Sequence, residues 1–392
     1  MATLDAIREE ITALDSKLLQ LLARRKQLSI DVARSKQADH RPIRDQQREQ
    51  QLLEHLVQQG SELGLSARYI YQIYRLIIED SVLSQQAFIQ AQLNGSTDEG
   101  ASIAFLGPVG SYSSLAARKY LGRHVGSLHE HSCSRFADVI QAVEEGQVQF
   151  GVLPIENTSS GSINEVYDLM QHTSLSIVGE LTLPIEHCLL AAVPCTEADI
   201  TTIYAHPQPI QQCSNYLQQK MADARLEYCD SSSAAMDKVR ELASPHAAAL
   251  GSEAGGALFG LTPVASKLAN QQDNITRFIV VARKAVDVAL QIPAKTTLIL
   301  STAQQAGSLV EALLVLRKHN INMTKLESRP IQGNPWEEMF YLDVAANLKA
   351  PAMQDALHEL NDLVRALKIL GCYPSEDVRP TALPEYLIGQ QP

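Results

Sequence analysis

Apolar residues at Leu4, Ile7, Ile11, Leu14, Leu18, Leu21, Leu28 and Val32 recur in alternating steps of three and four. That spacing predicts one long helix whose apolar stripe packs against other helices. Arg25 fills the gap between Leu21 and Leu28. A guanidinium in a buried seam is costly unless an anion meets it, so Arg25 implies either an internal carboxylate or an anionic ligand. Pro42 ends this helix, Asp45 caps a second one carrying Arg48 and Glu49, and Gly60 and Gly64 break the chain again. A third helix over residues 66–93 has the stripe Ile70, Tyr74, Ile77 and Phe88, interrupted by Ser81 and Gln85 one turn apart. Polar side chains in such a stripe need partners.

Beyond the polar, glycine-rich run 94–100 the period changes. Short apolar runs at 103–106, 151–153 and 247–250 alternate with helical stretches such as 135–146 and 231–243, which predicts an α/β domain. From Lys295 the pattern reads strand 296–301, helix 309–319, strands 323–329 and 339–346, helix 352–367 and a closing strand to Cys372. This βαββαβ order is ferredoxin-like. The expected organisation is therefore multidomain: helical 1–93, linker 94–100, α/β 101–284, α+β 295–373 and a tail 374–392.

A length of 392 residues agrees with several domains, and 45% apolar against 20% charged residues supplies their cores. The apolar runs, such as 313–316, fall far short of a membrane span. The N-terminus has no apolar signal core, and the six cysteines form no C-x-x-C pair. A soluble, cytoplasmic protein with reduced thiols is expected. The net charge of −11 discourages nucleic-acid or anionic-membrane partners. It is unevenly spread: residues 1–95 hold 12 Lys/Arg against 12 Asp/Glu.

Cations in the neutral helical segment suggest a site. Arg8 and Lys36 flank the same stripe but lie 28 residues apart, about 42 Å along a straight helix. If both serve one anion, Arg8 comes from a second subunit, whereas Arg25 and Lys36, roughly 16 Å apart, reach a ligand between them. The pattern predicts a helical homodimer, or a higher homo-oligomer, with shared dicarboxylate sites.

This segment resembles the all-helical chorismate mutase domain in the form fused to prephenate dehydratase. The resemblance implies that Arg8 of the partner subunit, Arg25 and Arg48 bind the carboxylates of chorismate. It also implies that Lys36 and Gln85 donate to the ether oxygen, while Asp45, Glu49 and Ser81 orient the remaining polar atoms. A pericyclic rearrangement needs no acid, base, metal or cofactor, only a held conformer and stabilised developing charge.

In the α/β segment, Gly107-Pro108-Val109-Gly110-Ser111-Tyr112-Ser113 follows the first strand and opens a helix, where free N–H groups receive an anion, although a tight turn would use the same glycines. It is not a G-x-G-x-x-G fingerprint. Polar strings follow at 154–162, 206–209, 231–235, 251–255 and 274–278, each where a strand meets a loop or helix. In this order they look like prephenate dehydratase, over about 101–284. The resemblance implies two periplasmic-binding-protein-like lobes with prephenate between them. Thr276 would be the catalytic donor to the departing hydroxyl. Ser111, Glu156, Asn157, Thr158, Ser159, His206, Ser232, Arg277 and Phe278 would be further prephenate contacts, with Arg277 equally able to meet a structural acidic partner.

The βαββαβ segment resembles an ACT domain of the amino-acid-sensing kind. Gly307-Ser308-Leu309-Val310 and Glu327-Ser328-Arg329-Pro330 match the family's two phenylalanine-binding stretches, with Ser308 where alanine is commoner. The implied role is feedback inhibition by L-phenylalanine, with simple oligomerisation as the plainer alternative. Two other constellations are set aside. His129, Glu130, His131 and Cys133 lack a second set of ligands at zinc spacing, and Ser111 or Ser159 with His206 lacks a G-x-S-x-G elbow. A mutase fused to a dehydrogenase would need a nicotinamide fingerprint, and a non-catalytic amino-acid sensor leaves the interior cations and Thr276 unexplained.

Overall fold

The structure is a computed structural model and describes residues 3–39, 41–95, 100–122, 128–271, 273–303, 305–331, 337–376, 381–384 and 387. Residues 96–99 of the expected linker, Trp336 beside the expected effector stretch, and most of the expected tail lie outside the described residues. The chain forms two compact units: Met1–Ser96 with Asp287–Ala294 and Asp377–Pro392, and Thr97–Val286 with Lys295–Glu376.

The first unit is built on three helices, α1 (Leu4–Ala38), α2 (Gln46–Glu62) and α3 (Ala67–Asn94). Each begins where a short polar side chain accepts a free backbone N–H: Thr3 from Ala6, Asp45 from Arg48 at 3.0 Å and Ser66 from Tyr69 at 3.2 Å. The predicted Asp45 cap is therefore in place. Much of the α1 stripe, however, is uncovered within one chain, with Leu4, Ile11, Leu14, Leu18 and Leu21 all more than half exposed. Two distant segments join these helices. Asp287 N–H donates to Asn94 Oδ1 (2.8 Å), Ile43 N–H donates to the Gln291 carbonyl (3.2 Å), and Val288, Ile292 and Leu383 are buried.

The second unit holds three sheets. In the first, Leu128–Cys133, Ala101–Leu106 and Phe150–Asn157 run parallel, followed by antiparallel Ile275–Ala282 and then Ser176–Pro184. In the second, the order is Thr262–Ala265, Cys188–Ala191, Ala247–Gly251, Thr202–Ala205, Arg225–Tyr228, with the last three mutually parallel. The chain crosses between these two lobes twice, after Pro184 and before Ile275. The third sheet is Met323–Pro330, Glu338–Val344, Ala294–Ser301, Ala366–Pro374, with helices Ser308–Lys318 and Pro351–Leu363. This is the βαββαβ order expected from the pattern.

The third sheet shares a core with the first. Ile299, Met339, Tyr341, Leu370 and Tyr373 pack in one cluster with Val139, Val166, Tyr167, Met170, Ile279 and Val281. The opposite face of the first sheet buries Phe105, Val152, Phe278 and Val280 with Ala116 and Ala117 of helix Tyr112–Leu121. Strand Ile275–Ala282 thus sends alternate side chains to two different neighbours.

Candidate active sites

In the helical unit, Arg25, Ser29, Val32 and Lys36 of α1, Asp45, Arg48 and Glu49 around the start of α2, and Ile78, Ser81 and Gln85 of α3 line one cavity of about 320 Å³. Seven of the eight expected chorismate contacts meet there. The exception is Arg8, which lies exposed beside Asp5 at 3.7 Å. Within one chain the length of α1 keeps it away, as its spacing from Lys36 requires.

The electrostatics of the cavity follow from what each cation touches. Arg25 donates to Ser81 Oγ and, at 3.3 Å, to the Ile77 carbonyl. Neither acceptor is charged, so the guanidinium keeps its net charge for a ligand. Lys36 donates to the Ile43 carbonyl. Burial pulls its ammonium below the ordinary lysine value, opposed by Asp45 and Glu49. Gln85 is 7% exposed and its Oε1 has no hydrogen-bond partner. The residue that the sequence pattern did not flag is Arg44, which pairs with Glu49 (3.2 Å) and with Glu79. It belongs to no stripe, and only the fold brings the two carboxylates to it.

In the two-lobed region, Thr276 sits on strand Ile275–Ala282 opposite Asn157 and is 7% exposed. Asn157 Oδ1 accepts the backbone N–H groups of Ser159 and Ser160, both at 2.9 Å. Because those groups only donate, they fix which end of the amide is oxygen. Asn157 Nδ2 therefore donates to Thr276 Oγ1 at 2.8 Å and to Asn274 Oδ1 at 2.7 Å. The Thr276 oxygen has received a donor, and its own O–H remains to give. Thr158 closes the same corner, accepting from Ile275 N–H (2.9 Å) and donating to the Asp273 carbonyl (2.7 Å), while Ser159 donates to Gln271 Oε1 (2.7 Å).

A second group of expected residues meets where the lobes touch. Gly110, Ser111 and Tyr112 from one lobe and Ser232, Ser233 and Ser252 from the other line a cavity of about 90 Å³. Ser111 caps helix Tyr112–Leu121 and Ser231 caps helix Ser232–Leu242, so two helix N-termini open onto it. Gly110 has φ +89°, and an added Cβ would meet Phe259 at 2.9 Å. A Cβ on Gly255 would meet the Gly110 carbonyl at 2.8 Å. Glycine at both places lets the lobes come together.

Other expected contacts lie elsewhere. Arg277 faces away from Thr276 and gives its guanidinium to Glu180 (2.8 Å), Asp343 (2.5 Å) and Tyr373 Oη (3.1 Å). Burial disfavours its charge, but the carboxylates outweigh this and raise its pKa. Arg277 thus meets acidic partners in the structure. Phe278 is 1% exposed in the core, a packing position rather than a lining one. Strand alternation accounts for Arg277, which it sends to the face opposite Thr276, whereas Phe278 shares the face of Thr276 and packs in the core beside Phe105 and Val152. Glu156 pairs with Lys325 of the third sheet at 2.8 Å. His206 caps the short helix Pro207–Gln212, its Nδ1 accepting from Gln208 N–H at 3.3 Å.

His187, not flagged by the sequence, lies buried at the crossing between lobes, 2.7 Å from Gln212 Oε1 and 3.4 Å from Tyr112 Oη. Burial lowers its pKa, so it stands neutral. In the sequence it is followed by the apolar run Cys188, Leu189 and Leu190.

In the third sheet, Gly307 (φ +90°) precedes helix Ser308–Lys318, Ser308 Oγ donates to the Gln305 carbonyl at 3.1 Å, Leu309 is half-buried and Val310 exposed. On strand Met323–Pro330, Glu327 accepts from Ser162 Oγ (2.7 Å) and Arg329 grips Asp168 through two bonds of 2.9 and 3.0 Å, while Ser328 and Pro330 are exposed. Strand Glu338–Val344 lies between this strand and Ala294–Ser301. No cluster of three or more His, Cys, Asp or Glu able to hold a metal occurs among the described residues, and no described helix is long and apolar enough to cross a membrane.

Known proteins match this layout. The family model for chorismate mutase type II matches residues 7–86, and that for prephenate dehydratase matches residues 103–286. The bifunctional chorismate mutase/prephenate dehydratase of Escherichia coli (strain K12) is 58% identical over 375 residues, 96% of this chain and 97% of that protein. Among solved structures, the prephenate dehydratase of Arthrobacter aurescens in complex with L-Phe is 25% identical with a TM-score of 0.63, covering 73% of this chain and 94% of its own. GqqA, described as a novel type of quorum quenching acylase, also has a TM-score of 0.63 and is 31% identical, covering 70% of this chain and 98% of its own.

Proposed function

We propose a division of labour for this chain, which belongs to the bifunctional chorismate mutase/prephenate dehydratase family and carries both activities of phenylalanine biosynthesis. The helical unit rearranges chorismate to prephenate. The observation that carries this assignment is the single cavity gathering Arg25, Lys36, Arg48 and the unpartnered Gln85. Arg25 and Arg48, with Arg8 of the partner subunit, hold the two carboxylates. Lys36 and Gln85 donate to the ether oxygen as it gains charge. Asp45, Glu49 and Ser81 orient the rest. The exposed stripe of α1 supports a homodimer.

The two-lobed region, read as periplasmic-binding-protein-like, decarboxylates and dehydrates prephenate to phenylpyruvate. Loss of CO2 supplies the electron pair that expels the 4-hydroxyl, and aromatisation drives the step. The residue's task is to give that leaving oxygen a hydrogen bond. Thr276 gives that bond; the support is that Asn157 occupies its oxygen and leaves its O–H to donate. The helix N-termini at Ser111 and Ser232 receive a carboxylate. A cavity of about 90 Å³ has room for about three waters and not for a ten-carbon diacid, so the lobes open to admit substrate. An acylase reading would need a base-activated serine there; Ser111 instead donates to the Leu106 carbonyl, and Ser233 Oγ has no hydrogen-bond partner.

The third sheet with its two helices is read as an ACT domain that binds L-phenylalanine through 307–310 and 327–330, at a pairing of two subunits, and so lowers dehydratase activity. The protein works in the cytoplasm without a cofactor. The test supplies chorismate alone: phenylpyruvate should form, and added L-phenylalanine should reduce its rate saturably without changing prephenate formation. Accumulation of prephenate with no phenylpyruvate would sink the second assignment, and indifference to L-phenylalanine would sink the third.

A further inference from the structure

The cavity of the helical unit is completed from far along the sequence. Glu49 lines it, and its Oε2 accepts from Arg44 Nε at 3.2 Å and from Thr381 Oγ1 at 2.5 Å. Leu383, two residues beyond, is 5% exposed, so an apolar anchor seats the segment that carries the hydroxyl. Ile43, another lining residue, is tied through its N–H to the Gln291 carbonyl, while its own carbonyl receives Lys36.

We propose that Thr381 is a positioning residue for the mutase reaction. The inference rests on reading Glu49 as a substrate contact. The Glu49 side chain is 12% exposed, so solvent does little to hold it. Arg44 shares its guanidinium between Glu49 and Glu79. A hydroxyl given to a carboxylate oxygen at this length is a charge-assisted bond, and it fixes the carboxylate from a second direction. The orientation of a substrate hydroxyl is needed in the ground state and transition state alike, so its loss raises KM more than it lowers kcat. Mutase affinity thus depends on a residue 332 positions from its partner, outside all three helices.

The experiment uses the full chain with Thr381→Val, Thr381→Ser and Glu49→Gln, each assayed on chorismate and separately on prephenate. Thr381→Val should raise the KM for chorismate roughly three- to tenfold with kcat within about twofold, and Thr381→Ser should restore it. Prephenate turnover should stay unchanged in both, which reports an intact second unit, and an unchanged far-UV circular dichroism spectrum reports the helices of the first. Unchanged KM in Thr381→Val beside an impaired Glu49→Gln overturns the positioning role and leaves the site reading standing. An unimpaired Glu49→Gln overturns the site reading and the inference with it. A Thr381→Val defect that also reaches prephenate turnover, or that serine does not repair, assigns Thr381 to structure and overturns the proposal.

Discussion

The cavity of the helical unit and the cavity between the two lobes are built oppositely. The first turns Arg25, Lys36 and Arg48 toward about 320 Å³. The second is lined by four serines, a glycine pair's close approach and two helix N-termini. Arg277, next to Thr276 in the chain, pairs with Glu180 and Asp343, and Lys295 pairs with Glu180. The difference teaches that charge placement follows the chemistry rather than the ligand's charge. A rearrangement with no proton transfer gains only from fixed charge facing the developing one. An elimination driven by aromatisation needs a donor at the leaving oxygen, and strong cations at the departing carboxylate would oppose loss of CO2.

Exchange of one residue in each site attacks that contrast most directly. Thr276→Ala should lower dehydratase turnover by about 10²–10⁴, and Lys36→Ala should lower mutase turnover by about 10²–10³. Each should leave the other activity within about twofold. Steady-state assays on chorismate and prephenate check both, with far-UV circular dichroism as the control for folding. If either folded variant lost both activities, the two activities would not have separate sites.

Much of the first site was legible because helical spacing is rigid. The steps of three and four, the Asp45 cap and the Ser81/Gln85 interruption in an apolar stripe are enough to align the polar residues of α1 and α3. Arg44 and Thr381 escaped because neither lies on a stripe and their partner Glu49 is met only through tertiary folding. In the second site Thr276, Arg277 and Phe278 are consecutive in sequence, and a strand's period of two sends Arg277 to the face occupied by Asp343 and Tyr373. Adjacency in sequence is a poor guide to adjacency in space on a strand. His187 gave no signal, since a lone histidine beside an apolar run reads as core.

The claim that Arg277 is structural can be broken by Asp343→Asn, which keeps shape and removes one charge from a buried group of two cations and two carboxylates. The excess positive charge should cost about 2–3 kcal/mol of stability. Denaturant unfolding of the second unit should show it, while dehydratase KM for prephenate changes little. A large rise in KM with unchanged stability would mean that Arg277 serves the substrate after all.

The smallest expected effect separates the sites by pH. Lys36 must be protonated to donate, and burial holds its pKa below the ordinary lysine value in the free enzyme. The mutase kcat/KM should therefore hold at lower pH and decline as pH rises through that lowered pKa, by about tenfold per unit beyond it. Arginine stays charged throughout, so Lys36→Arg, if active, should lose this alkaline limb. Thr276 does not ionise in this range, so dehydratase kcat/KM on the same protein should lack the limb. Its appearance in both activities would trace it to a shared conformational change and remove the charge contrast as its cause.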